Sequence, residues 1–263
     1  MILPIYQIDA FAEQLFSGNP AAVVPLESWI DATLMQQIAT ENNLAETAFF
    51  VHQGNHVEIR WFTPEREIDL CGHATLAAAH VLFHELNPSA HAIHFESRSG
   101  KLVVTRTSNN RLTLDFPSQV PDASDSPAAL LLGLKTLPSH CLKHTDYIAV
   151  YESEEQIRDL YPDLDHLMKL DLRGVIVTAP SSSPKYDFVS RFFAPKYGIS
   201  EDPVTGSSHT QLTPYWAKRL GKTKLTARQL SKRGGTLYCR QNGDRVLISG
   251  STQKYLAGKI QLP

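Results

Sequence analysis

The chain repeats itself, and that constrains its fold more than any other feature. Arg60-Trp61-Phe62-Thr63-Pro64 is answered by Arg191-Phe192-Phe193-Ala194-Pro195, an interval of 131 residues, with the arginine, the second aromatic and the proline in common. Each copy leads through an irregular stretch to a glycine that opens a helix-like segment. These glycines are Gly72 and Gly206, 134 residues apart, so the second loop is three residues longer. The interval of 134 then persists: Ser97, Gly100, Arg106 and Arg111 coincide with Ser231, Gly234, Arg240 and Arg245. Identity between the halves is low, but order and spacing agree, which favours duplication over two chance look-alikes.

Each half reads as strand, loop, helix and hairpin. The first helix is expected from Gly72 to about Glu85, ended by Asn87-Pro88, and the second from Gly206 to about Leu220, stopped by Gly221. Pro214 lies inside the second and is expected to kink it or to mark a second start. Alternating apolar residues around Asn109-Asn110 and around Gly243-Asp244 predict the two hairpins. The Pro-, Ser- and Asp-rich stretch from Pro117 to Pro127 reads as the linker. The expected lobes are therefore 1–117 and 118–252, with 253–263 returning to the first.

With 263 residues, 42% of them hydrophobic, the chain can bury a full core. Its net charge of −2 comes from interspersed charges, which argues against nucleic acid or an anionic membrane as the main partner. The three cysteines, Cys71, Cys141 and Cys239, are far apart and form no C-x-x-C, so neither a disulfide framework nor a structural zinc site is expected. The first residues lack a basic-then-apolar leader, and no apolar run approaches the ~18 residues of a membrane span. A cytoplasmic address is the simplest expectation.

Two similar lobes commonly leave a cleft where a small ligand binds. A glycine-led helix start offers unpaired N–H groups and a partial positive charge to an anion. Gly72-His73 and Thr205-Gly206-Ser207 both have this form, and a small carboxylate is the natural guest of the pair. Either alone would read as an ordinary helix cap. Glu46 sits in the apolar stretch Leu44 to Phe50, where burial would suit it to proton transfer; a solvated helix–strand junction is the plainer reading. His73 reads as a cap, a surface histidine or an active-site imidazole. His73, His80 and His84 share one helical face, but H-E-x-x-H is absent and no metal is expected. Cys71 is either a thiol activated by a helix start or a small buried residue. The matching stretch of the second half, Asp202-Pro203-Val204, holds no cysteine, so a two-thiol mechanism is unavailable. Asp202 either hydrogen-bonds His73 or shapes the turn before Pro203.

Five segments in order, Phe16 to Val24, Asn42 to Phe50, Ile59 to Ala79, Arg191 to His209 and Pro214 to Gly221, resemble the PhzF-like family of phenazine biosynthesis, within the diaminopimelate epimerase-like superfamily. The resemblance implies an α+β fold of two pseudo-symmetric lobes, each a curved, mainly antiparallel sheet around a central helix. It implies a cofactor-independent isomerase working on a small, cyclic carboxylic acid, and a homodimer. By motif the proton-moving glutamate falls on Glu46, the active-site histidine on His73 and the aspartate on Asp202. The substrate carboxylate contacts fall on Gly72, Gly206 and Ser207. Ala45 stands where phenazine-pathway members often carry serine, and the counterpart of Cys71 is read as Pro203. Two other readings stand beside this one: an amino-acid epimerase or racemase using Cys71, and a binding module that kept the scaffold without catalysis.

Overall fold

The computed structural model describes residues 1–107 and 109–262. They form two compact units, Met1–Asp115 with Ser249–Pro263, and Phe116–Ile248.

The first unit is built on strands β1 (Ile2–Ala10), β2 (Asn19–Leu26), β3 (Glu46–Gln53), β4 (His56–Phe62), β5 (Glu67–Ile68), β6 (Ala92–Ser97), β7 (Gly100–Arg106) and β8 (Leu112–Pro117). Helix α1 (Ala32–Asn42) joins β2 to β3, and α2 (Gly72–Val81) lies between β5 and β6. From β1 through β2, β3, β4 and β6 to β7, neighbouring pairs run antiparallel, parallel, antiparallel, parallel, antiparallel. The C-terminal strand Thr252–Gln261 pairs antiparallel with β1.

The second unit repeats this plan. Its strands are β9 (Asp122–Ser124), β10 (His140–Lys143), β11 (Tyr147–Val150), β12 (Val175–Pro180), β13 (Phe188–Phe193), β14 (Lys224–Gln229), β15 (Gly235–Asn242) and β16 (Arg245–Gly250). Its helices are α3 (Ala128–Leu134), α4 (Glu154–Arg158), α5 (Leu164–Leu167) and α6 (Gly206–Leu220). From β10 to β15 the pairs again run antiparallel, parallel, antiparallel, parallel, antiparallel. Each parallel pair needs a crossover. In the first unit α1 and α2 supply them; in the second α4 with α5, and α6, take the same places.

The repeated Arg-aromatic-Phe segment has a physical job in each unit. Arginine and Phe are two apart on a strand and so share a face. Arg60 lies 5.3 Å over the Phe62 ring and Arg191 5.0 Å over that of Phe193. Each guanidinium forks onto a glutamate further along the chain: Arg60 donates Nε to Glu67 Oε1 (2.7 Å) and Nη2 to Oε2 (2.8 Å), and Arg191 donates likewise to Glu201 (2.7 and 3.0 Å). This bidentate geometry is specific to arginine. The two glutamates are 134 residues apart, so the clamp was duplicated with the strand it steadies. Phe62 packs into the core with Val24, Met35 and Phe49, and Phe193 into the core with Leu134, Tyr151 and Val177.

Helix α2 is buried all round from His73 to Val81, because its Ala-rich surface lets the sheet close on it. The expected helix changes character at its end: Leu82–Leu86 is one π-helical turn. Helix α6 spans its expected length, and Pro214 does not break it. Proline cannot donate to the carbonyl of Thr210, four residues back. That carbonyl instead accepts from Gln119 N at 3.1 Å, which satisfies the group that would otherwise force a break. Gln119 belongs to the stretch read as a linker, which is built into the second unit: β9 pairs with β10, and Ser118 N donates to Asp244 O. Among the described residues no helix is long and apolar enough to cross a membrane.

Candidate active site

Glu46 is the first residue of β3, just after α1 ends on the left-handed Asn43. It is 6% exposed, so the solvated-junction reading is overturned. The parallel pairing of β2 with β3 sets Glu46 beside Ala21, two residues beyond Asn19. His73, second residue of α2 and 5% exposed, turns Nε2 to within 2.9 Å of Glu46 Oε2. The two meet at ion-pair distance without the alignment of a hydrogen bond, so Oε2 keeps a lone pair that no described donor uses.

The other ring nitrogen is held from behind. His73 Nδ1 lies 3.2 Å from Asn19 Nδ2 and 3.5 Å from Cys71 Sγ. Asn19 is fully buried, and its place depends on Gly18 before it. Gly18 has φ +72°, and a Cβ there would stand 2.2 Å from the Ala10 carbonyl oxygen, so only glycine fits the turn. Burial on its own lowers the His73 pKa, but attraction to the Cys71 sulfur and the Glu46 carboxylate overrides it and carries the ring well above its usual 6.5. Burial, followed by repulsion from Glu46, raises the Cys71 thiol.

Cys71 is the N-cap of α2, in extended conformation, and its side chain caps nothing. Cys71 therefore leaves the first N–H groups of α2, beginning with Gly72, without a side-chain cap. Glu46, Cys71 and His73 each place one donor atom within 4.8 Å of the others, a set whose composition could hold a metal ion. Glu46 and Cys71, however, face different nitrogens of His73. The three histidines considered together in sequence divide here. The rings of His80 and His84 lie 4.4 Å apart, tilted by 42°, and burial pushes His80 down to about 4, while His73 joins Glu46 and Cys71.

In the second unit α6 also begins uncapped. Its N-cap is Thr205, extended like Cys71 and 134 residues from it, so Thr205 rather than Pro203 is the structural counterpart of Cys71. Gly206 opens the helix and Ser207 follows, half-buried. Asp202, 8% exposed, accepts a short hydrogen bond from Thr205 Oγ1 at Oδ2, and its N donates to Phe192 O at 3.0 Å. Gln229 ties this loop together from beneath. Its Oε1 accepts from Thr205 N (2.8 Å), and its Nε2 donates to Asp202 O (2.8 Å) and to Thr205 Oγ1 (3.1 Å).

Sequence reasoning missed Asn19 and Gln229 as parts of the site, and read Thr205 only as the residue leading into Gly206. Asn19 lay inside one of the motif segments but 54 residues from its partner, and no local pattern joins the two.

The family profile described as phenazine biosynthesis-like protein matches residues 8–258. The chain belongs to that family. Among PhzF-like relatives, two uncharacterized isomerases of Pseudomonas aeruginosa are 49% and 52% identical to it, each aligned over 100% of both chains. A crystal structure of a PhzF-family phenazine biosynthesis protein from Enterococcus faecalis superposes with a TM-score of 0.96 at 48% identity, covering 100% of both chains. A hydroxyproline epimerase from Agrobacterium vitis superposes at a TM-score of 0.59 with 9% identity, covering 98% of this chain and 92% of that one, a likeness of fold alone. The protein is thus an α+β enzyme of the isomerase class.

Proposed function

We propose that the enzyme moves a proton between carbons of a small, cyclic carboxylic acid, with Glu46 as the acid–base group. The observation that carries this reading is the buried Glu46–His73 pair at the mouth of an uncapped helix. Glu46 Oε2 takes the carbon-bound proton; the electron pair left behind is delocalised along the substrate, and the same oxygen returns the proton to a second carbon. No atom is gained or lost, and the carboxylate ends as it began. His73 Nε2 faces the oxygen that shuttles, holding it in place and tempering its charge.

The substrate carboxylate is assigned to the open helix starts, at the N–H groups of Gly72, Gly206 and Ser207. Asp202, held by Gln229 and Thr205, is assigned to orient or polarise the substrate. In this reading no cofactor is used. The Cys71 thiol supports Glu46 as the base rather than itself, since burial raises its pKa and only the thiolate is reactive.

A panel of small carboxylic acids, including benzoates, anthranilate-like rings, diaminopimelate and proline-like amino acids, tests this. Thermal shift finds the binder, and proton NMR in D2O follows its conversion. Deuterium entering a ring carbon of an isomerised cyclic acid is the expected result. Conversion confined to inversion at the α-carbon of an amino acid would replace this reading with an epimerase.

A further inference from the structure

The second unit carries a cavity of about 270 Å3 lined by none of the residues assigned above to proton transfer or carboxylate binding. Its wall is basic. Arg158, Arg228, Lys232 and Arg233 line it against a single carboxylate, Glu154. That carboxylate is already engaged. It accepts from Arg158 Nη2, from Ser181 Oγ (3.0 Å), and from Ser182 through both N (2.8 Å) and Oγ (3.0 Å).

Part of the positive charge on the wall meets no carboxylate of the protein. Among the described residues neither Arg228 nor Lys232 meets a carboxylate, and the one hydrogen bond of the Arg228 guanidinium is Nη1 to Thr236 Oγ1 at 3.2 Å. Gly234 makes room for that guanidinium. Its φ is +64°, and a Cβ there would stand 2.6 Å from Arg228 Nη2, so the cation lies against bare backbone. The duplicated first unit supplies the contrast. Arg98, the counterpart of Lys232 at the interval of 134, donates Nη1 to Glu67 Oε2 at 2.9 Å, on the carboxylate that also clamps Arg60. Glu201 clamps Arg191 in the second unit, but Lys232 forms no such pair. One loop thus occurs twice on the same scaffold, with Arg98 paired to a carboxylate in one copy and Lys232 lining a cavity in the other.

We propose that this cavity is an anion site for a phosphate-type oxyanion, either free or carried on a small metabolite. Clustered guanidinium and ammonium groups are suited to that ligand. The volume lies just under the ~300 Å3 at which small-molecule sites usually begin, which suits a compact guest. A bound anion would also touch the support of the Asp202 loop. Gln229 lines the cavity, and Ser231, also on its wall, donates Oγ to Pro203 O at 2.7 Å.

The test is titration of the intact protein at low ionic strength with inorganic phosphate, with adenosine monophosphate and with adenosine as the uncharged control, read by calorimetry and by amide chemical shifts. Saturable binding of phosphate or the monophosphate is expected, centred on residues 228–234 and weakened by added salt. The double variant Lys232→Ala, Arg233→Ala should weaken it about tenfold or more, the worth of lost charge-assisted contacts. Lys101→Ala, at the start of β7 in the first unit, should leave it unchanged. Equal binding of both phosphates means that the site reads the oxyanion alone, and binding of the monophosphate only means that it reads a phosphorylated metabolite; both support the proposal. No binding at millimolar concentration, or binding that the double variant leaves intact, overturns it. The assay needs no turnover, so its failure leaves the isomerase reading untouched.

Discussion

Replacing Gln229 by methionine tests how the second unit holds Asp202 at the mouth of α6. Gln229 is fully buried, and its amide joins the Thr205 N–H to the Asp202 carbonyl. Methionine keeps the length of the side chain and removes both hydrogen-bonding groups. The Thr205 N–H and the Asp202 C=O then lose this partner away from water, at roughly 1–3 kcal/mol each. The expected loss is about 2–5 kcal/mol. For a chain of this size that lowers the transition of the second unit by roughly 5–15 °C. Urea unfolding should show the loss as a lower midpoint with an unchanged slope. Gln229→Glu is the informative companion. A carboxylate can still accept from Thr205 N but sets an oxygen against the Asp202 carbonyl. It regains a donor once protonated, so its stability relative to the wild type should improve as pH falls. A loss below about 0.5 kcal/mol in Gln229→Met, within the range of an ordinary surface change, would refute the reasoning.

Arg191→Lys should destabilise almost as much as Arg191→Ala, by about 2–4 kcal/mol in urea, because an ammonium cannot fork onto Glu201 while also donating to the Ile157 and Leu160 carbonyls as Nη1 does. His209 is fully buried, and burial pushes it down to about 4. As pH falls below its unfolded value near 6.5 the unfolded chain takes up a proton that the folded one refuses, so stability falls between about 6.5 and 4 and this contribution levels off below. His209→Gln should flatten that limb when stability is measured against pH. Asn19→Ala should leave far-UV circular dichroism unchanged while shifting the pH dependence of turnover, because His73 Nδ1 loses the neighbour that orients the ring.

The repeat was the most legible feature, since chirality and crossover rules leave few ways to fold a strand–helix–hairpin unit once it is recognised. Gly72 and Gly206 marked both helix starts, and Gly221 the end of α6, because unpaired backbone groups at helix ends select those residues locally. The continuity of α6 through Pro214 was hidden, since the donor that rescues the Thr210 carbonyl comes from Gln119, 91 residues earlier. The burial of Glu46 was equally hidden, because a carboxylate before an apolar strand looks the same in sequence whether a partner covers it or water does. Its cover is His73, supplied by the start of a different element. Gln229 carried no signal at all: a glutamine closing a strand is unremarkable until the loop it supports is folded over it. The clamp glutamates Glu67 and Glu201 could have been found, since they keep the interval of 134 and each follows a repeated arginine.

The central claim is that Glu46 carries the proton, and the most direct measurement is deuterium incorporation from D2O into product by wild type and by Glu46→Gln, on a carboxylic acid that the wild type isomerises. Glutamine keeps the shape and the contact with His73 but has no basic oxygen, so the variant should fold, bind the acid with similar affinity, and show turnover and incorporation reduced by a factor of about 100 or more. A folded variant that incorporates deuterium at the wild-type rate would show that the proton travels through another group.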